Sequence, residues 1–218
     1  MSENPEYDEF RRNRGLEQLG IPAVAIPRAL QRADAEAAAV SPLEPPTAEG
    51  TVRYNKLVRF VREELIPLGW VPDNTRNYCR TISPDGRTAL VVSSGDEFTG
   101  VRQSVASVRQ SVASNRYPKG PTTEVAVKRN AEQLTLDLGP EYSDPDFSNA
   151  TTWLLLHYVD DDGIHAELCR PVDIAAGKIT DVLERILFPV IPRAGDAEID
   201  DHGDDDGDSG YDVPVTRR

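Results

Sequence analysis

The sequence predicts an α+β fold: a single domain with a mainly antiparallel sheet of about six strands and flanking helices. Three observations predict it. An amphipathic helical stretch spans Val52 to Leu68, two hairpin signals lie between Tyr78 and Arg170, and charge is sorted along the chain. The formal net charge is −13, with nine acids against five bases in residues 1 to 50 and nine against two in residues 194 to 218. The middle, 51 to 193, is nearly neutral. These divisions predict a mobile N-terminal arm with local helix at 1–50, the α+β domain at 51–193, and a disordered acidic tail at 194–218.

In the arm, Pro27 suits the first turn of a helix and Ser41-Pro42 ends it. Its alanines favour helix, but Leu30 and Val40 are its only large apolar anchors, so it reads as marginal alone. From Val52 to Leu68 the apolar residues Tyr54, Leu57, Val58, Val61 and Leu65 recur on one helical face, and Pro67 and Gly69 stop the helix.

A hairpin follows, with Tyr78 to Ser83 and Arg87 to Ser93 flanking Pro84-Asp85-Gly86. The heptad VRQSVAS at Val101 to Ser107 is then repeated letter for letter at Val108 to Ser114. Its valines form one helical stripe, which favours a short helix over a duplicated loop insert. Thr122 to Lys128 and Gln133 to Leu138 read as strands joined at Asn130-Ala131-Glu132. Thr152 to Val159 and Ile164 to Arg170 form the strongest hairpin, around Asp160-Asp161-Asp162-Gly163. A four-residue loop sets Val159 opposite Ile164, His157 opposite Ala166, Leu155 opposite Leu168 and Leu156 opposite Glu167. Ile179, Val182, Leu183 and Ile186 fall at helical spacing before Pro189 and predict a last helix, Ile179 to Phe188.

Composition excludes several function classes. No apolar run approaches the roughly 18 residues of a membrane span, and the polar N-terminus lacks a signal-peptide pattern. Cys79 and Cys169 stand far apart without metal-ligand spacing. A soluble, cytoplasmic protein is the expectation, with no membrane partner. The sequence holds no nucleophile elbow, dinucleotide fingerprint or phosphate loop, so no cofactor is implied.

The candidate site is the one cationic stretch of an acidic chain. Thr99 to Ala131 holds six bases and a single acid, Glu124. Arg102, Arg109, Arg116, Lys119, Lys128 and Arg129, with Tyr117, would grip a phosphate backbone or an acidic partner without reading bases. A nuclease is the enzymatic alternative. Asp96 at a strand end with Glu124 and Lys128 on the next strand would hold Mg²⁺ and orient water, although four residues of strand separate the latter two by about 13 Å. His165, Tyr158 and Glu167 share a strand face as a possible acid/base group, and His157 reads as a buried core histidine. His202 lies among the tail aspartates.

From Tyr78 on, the order of motifs resembles a group of uncharacterised proteins of actinobacteria and their phages. The segments that carry the resemblance are GDEFTG at Gly95 to Gly100, KGPTTEVAVKRN at Lys119 to Asn130, QLTLDL at Gln133 to Leu138, WLLLHYVDDDGIHAEL at Trp153 to Leu168, ERILFP at Glu184 to Pro189, and the terminal DVPVTRR. The heptad duplication departs from that pattern. The resemblance brings no activity with it. The expectation is a non-enzymatic accessory protein of phage or mobile-element type that binds nucleic acid, another polyanion, or a protein partner through segment 101–129. The third possibility is a protein–protein adaptor acting through its arm and DVPVTRR, which alternates apolar residues as a sheet-adding strand does.

Overall fold

The computed structural model describes residues 5–102, 113–135 and 150–193. Among these residues four α-helices, α1 (Pro5–Gln18), α2 (Ala25–Ala38), α3 (Ala48–Leu65) and α4 (Pro121–Thr135), accompany six strands. The strands are β1 (Val71–Asp73), β2 (Arg80–Ile82), β3 (Thr88–Ser94), β4 (Thr151–Val159), β5 (Ile164–Ala175) and β6 (Lys178–Leu187). They form one sheet in the order β1-β2-β3-β4-β5-β6, antiparallel except for β3 and β4, which run parallel. A parallel pair needs a crossover, and α4 lies in that connection. The α+β class is as expected. The acidic tail and residues 103–112 of the two heptads lie outside the described residues, so the short helix expected over them does too.

Two apolar layers sandwich the sheet. On one face Leu90, Val92, Trp153, Leu155, Ala166 and Leu168 pack with α2, α3 and the end of α1. On the other, Val91, Leu154, Leu156, Cys169 and Ile179 pack with Ala113, and α4 crosses β4 and β5. The β4–β5 register follows the hairpin reading at every expected pair, including Val159 with Ile164 and Leu156 with Glu167.

The first 50 residues correct the expectation of a mobile arm. Leu16, Ile21, Ile26, Leu30 and a stripe of alanines at 25, 29, 33 and 37 are buried in the main core. Alanine offers little area, but a stripe of it lets α2 lie close against α3, and each buried Ile or Leu then contributes about 1.5–3 kcal/mol. The end of α1 is also fixed. Gly20 takes a left-handed φ of 68°, the Ile21 N–H donates to the Leu16 carbonyl at 2.9 Å and the Gly20 N–H to Glu17 at 3.0 Å, with Leu16 and Ile21 both buried.

Three further expectations are corrected. Residues 122–128 are helical, as is Gln133 to Thr135; no hairpin stands there. The buried positions Thr123, Val127 and Asn130 recur at helical spacing, and Pro121 occupies the first turn. Asn130 reads as a turn residue in the sequence, but its amide ties α4 to the sheet, accepting from the Thr152 N–H and donating to the Thr152 and Pro171 carbonyls. Segment 178–187, expected to be helical, is β6. The two-residue turn Ala176-Gly177, both at positive φ, folds it back on β5. Register shifts between Arg170 and Ile174 break the alternation of this hairpin, so its apolar residues mimic a helical period.

Candidate binding groove

Helix α1 sits on the last strand. A Cβ on Gly15 would lie 2.8 Å from the Ile186 Cδ1, so the glycine permits this close approach. The next residue, Leu16, faces the core, while Tyr7, Phe10, Arg11 and Arg14 line the opposite side at the i, i+3, i+4, i+7 spacing of a single helical face. That face, together with Asp8, Glu9, Arg12, Gly15, Gln18 and Leu19, lines a groove of about 1640 Å³.

The floor is the end of the sheet that α2 and α3 leave open. Thr88 pairs with Thr151 and Arg170 with Glu184, and Trp153 precedes Leu154, the partner of Cys169, so Trp153 stands beside Arg170. Residues 183–190, which run from the end of β6 past Pro189, line the remaining side. Phe10, Leu183 and Val190 are exposed.

Seven arginines and three carboxylates line this groove. Arg102 grips Asp8 with two bonds of 2.6 Å. Arg185 is committed to the fully buried Glu167, its Nε donating at 3.0 Å and its Nη2 also bonding the carboxylate. Among the described residues Arg170 reaches only Glu184, at 3.7 Å, and its buried Nε has no hydrogen-bond partner. The Arg11 guanidinium lies 5.7 Å from the Tyr7 ring centre. Arg12, Arg14 and Arg87 make no ion pair among the described residues. Net positive potential therefore gathers in a concave site of an acidic protein, where low-dielectric walls strengthen it.

Arg102 reaches the groove because the loop before it is clamped. Glu167 accepts the Gly100 N–H at 2.9 Å, and Arg185 donates to the Val101 carbonyl at 3.3 Å. Gly100 has a φ of 73° and rests against the Ala166 backbone, where a Cβ would meet atoms at 3.3 Å.

The chain matches no protein-family model, no curated protein and no solved structure.

The expected cationic surface is divided. Arg102 faces α1, whereas Arg116, Tyr117 and Lys119 lie by the Ala176-Gly177 turn. There Asn115 donates to the Gly177 carbonyl at 2.8 Å and accepts from the Ile179 N–H, and Lys178 donates to the Asn115 and Arg116 carbonyls. Arg116 stacks 5.7 Å from the exposed Tyr117 ring. Burial, and then the Lys178 charge, pull the Lys119 ammonium below its usual pKa. Lys128 and Arg129 belong to α4, with Lys128 exposed and Arg129 half-buried. Arg109 lies outside the described residues.

The strand geometry required by the nuclease alternative is not present. Glu124 and Lys128 sit one helical turn apart on α4, and the Asp96 carboxylate accepts the Phe98 and Ser114 N–H groups. No trio of histidine, cysteine or acid among the described residues could hold a metal ion. The Tyr158, His165 and Glu167 group is split as well. His165 bonds Asp160 at 3.0 Å, while Glu167 is held by Arg185 and Gly100. His157 is buried as expected. Burial, aided by the charges of Arg53 and Lys119, pushes its pKa down to about 4, and its Nδ1 has no hydrogen-bond partner among the described residues.

Arg11, Arg12, Arg14, Arg87 and Arg170 were not singled out from the sequence. The recurring Tyr7, Phe10, Arg11 and Arg14 between Pro5 and Gly20 is the signal that would have found the α1 wall.

Proposed function

We propose that this protein is a non-enzymatic accessory module that takes an extended acidic segment of a partner protein into the groove between α1 and β6. The supporting observation is the excess of arginines over carboxylates in that groove, with Arg12, Arg14 and Arg87 outside any ion pair among the described residues and Arg170 only weakly held. Arginine forks suit carboxylates, and the exposed Phe10, Leu183 and Val190 favour a ligand that also carries apolar side chains.

The size of the acidic surplus favours a peptide over nucleic acid. A polynucleotide runs beyond the groove onto a body, residues 1–193, that carries 28 acids against 22 bases, whereas a short segment stays within about one Debye length, roughly 8–10 Å, of the arginines. No helix of the described residues is long and apolar enough to cross a membrane. A phage or mobile-element setting rests on the sequence resemblance.

Fluorescence anisotropy tests the reading. A labelled oligoglutamate carrying leucines should bind with an affinity that falls as salt rises. The double substitution Arg14→Ser/Arg87→Ser should weaken it roughly tenfold or more. Tighter binding of an oligonucleotide of similar charge, unaffected by that double substitution, would reject the groove and return the function to segment 101–129.

A further inference from the structure

We infer that the acidic C-terminal segment of this same chain, residues 194–218, occupies the arginine groove in the absence of a partner and competes with it. The inference rests on the proposed reading of the groove as an acidic-segment site.

Charge complementarity is its first support. The groove holds seven arginines against three carboxylates, and residues 194–218 hold nine acids against two bases. The pattern within the segment matters too. In an extended chain Asp196, Glu198 and Asp200 project to one side and Ala197 and Ile199 to the other, which offers carboxylates and apolar side chains together to a groove lined by both arginines and apolar residues.

Proximity is the second support. Phe188, Pro189 and Val190 already line the groove. After them Ile191 pairs with Ile164, and Arg193 reaches Asp34 at 3.5 Å, so the segment starts from a fixed point on the same body. Twenty-five residues follow, spanning about 28 Å as a coil and about 80 Å when extended, so they reach any part of the groove. Tethering of this kind gives an effective concentration on the order of millimolar. An acidic segment of even modest affinity then fills the site, and a partner must displace it.

The full-length chain tests this. In one variant all nine acids of 194–218 are replaced by their amides, from Asp196→Asn and Glu198→Gln through Asp212→Asn, leaving the described body unchanged. Labelled oligoglutamate should bind this variant about tenfold or more tightly than the parent chain. The same substitutions should shift the side-chain Nε–H NMR signals of Arg11, Arg14, Arg87 and Arg170. Equal affinities, both lost on Arg14→Ser/Arg87→Ser, would overturn the competition while leaving the groove function standing. Shifts confined to arginines outside the groove would also overturn it. If neither chain binds oligoglutamate, the groove reading fails, and this inference with it.

Discussion

The Arg102 guanidinium holds the Asp8 carboxylate with two bonds of 2.6 Å, joining the start of the cationic segment to a helix 94 positions earlier in the chain. Both side chains are partly exposed, at 47% and 39%. Such a pair contributes about 0.2–1 kcal/mol to stability, so its main effect is on the groove potential. Asp8→Asn frees Arg102 and removes a negative charge from the groove wall. Affinity for oligoglutamate should rise a few-fold, and Arg102→Ala should lower it, both read by anisotropy at low salt. No change in either variant would place the ligand elsewhere.

The Glu167–Arg185 pair makes a stability prediction. Glu167 is fully buried and also accepts the Gly100 N–H. Glu167→Ala leaves Arg185 without its buried partner and releases the loop that presents Arg102. The cost should be about 3–5 kcal/mol by urea denaturation. A loss below about 1 kcal/mol would show that solvent replaces the carboxylate.

Asn130 carries another. Its side chain satisfies three backbone groups, on Thr152 and Pro171. Asn130→Ala strands these buried groups, and the domain should lose roughly 2–3 kcal/mol, with faster amide exchange at Thr152. Unchanged exchange there would argue that α4 is held by its apolar contacts instead.

The acid side of the stability curve is set by His157. Its pKa falls from 6.5 to about 4 in the folded chain, so the folded state keeps the ring neutral where the unfolded chain protonates it. That contribution is fully present above pH 6.5, fades as pH drops toward 4, and amounts to about 2 kcal/mol between pH 7 and pH 5. Asp85, held low chiefly by the Ser83 hydroxyl, loses its contribution only at lower pH, below the usual carboxylate range. Urea melts at pH 7 and pH 5 should show the loss, and His157→Gln should remove most of it. A parent chain equally stable at both values would contradict this assignment.

Where local pattern and tertiary packing agree, the sequence was legible. The β4–β5 register follows from a four-residue loop and period-two alternation, and α3 from its apolar face. The misreadings have physical causes. The alanines of α2 look too small to anchor a helix until α3 lies against them. Thr122 to Lys128 carries β-branched residues, but its state is decided by the buried stripe Thr123, Val127 and Asn130. In β6 the bulges shift the phase of alternation. The groove was hidden for another reason. Its arginines come from α1, the β2–β3 turn, the loop after β3, β5 and β6, and those on α1 lie in a region whose net charge is negative. Only the packing of α1 onto β6 collects them.

The most direct test of the groove is an NMR titration of the full chain with oligoglutamate, in which arginine side-chain Nε–H signals are monitored. Concerted shifts at Arg11, Arg14, Arg87 and Arg170, reversed by salt, are the predicted result. Shifts at Arg116 and the Lys119 amide, with the groove arginines unmoved, would contradict it.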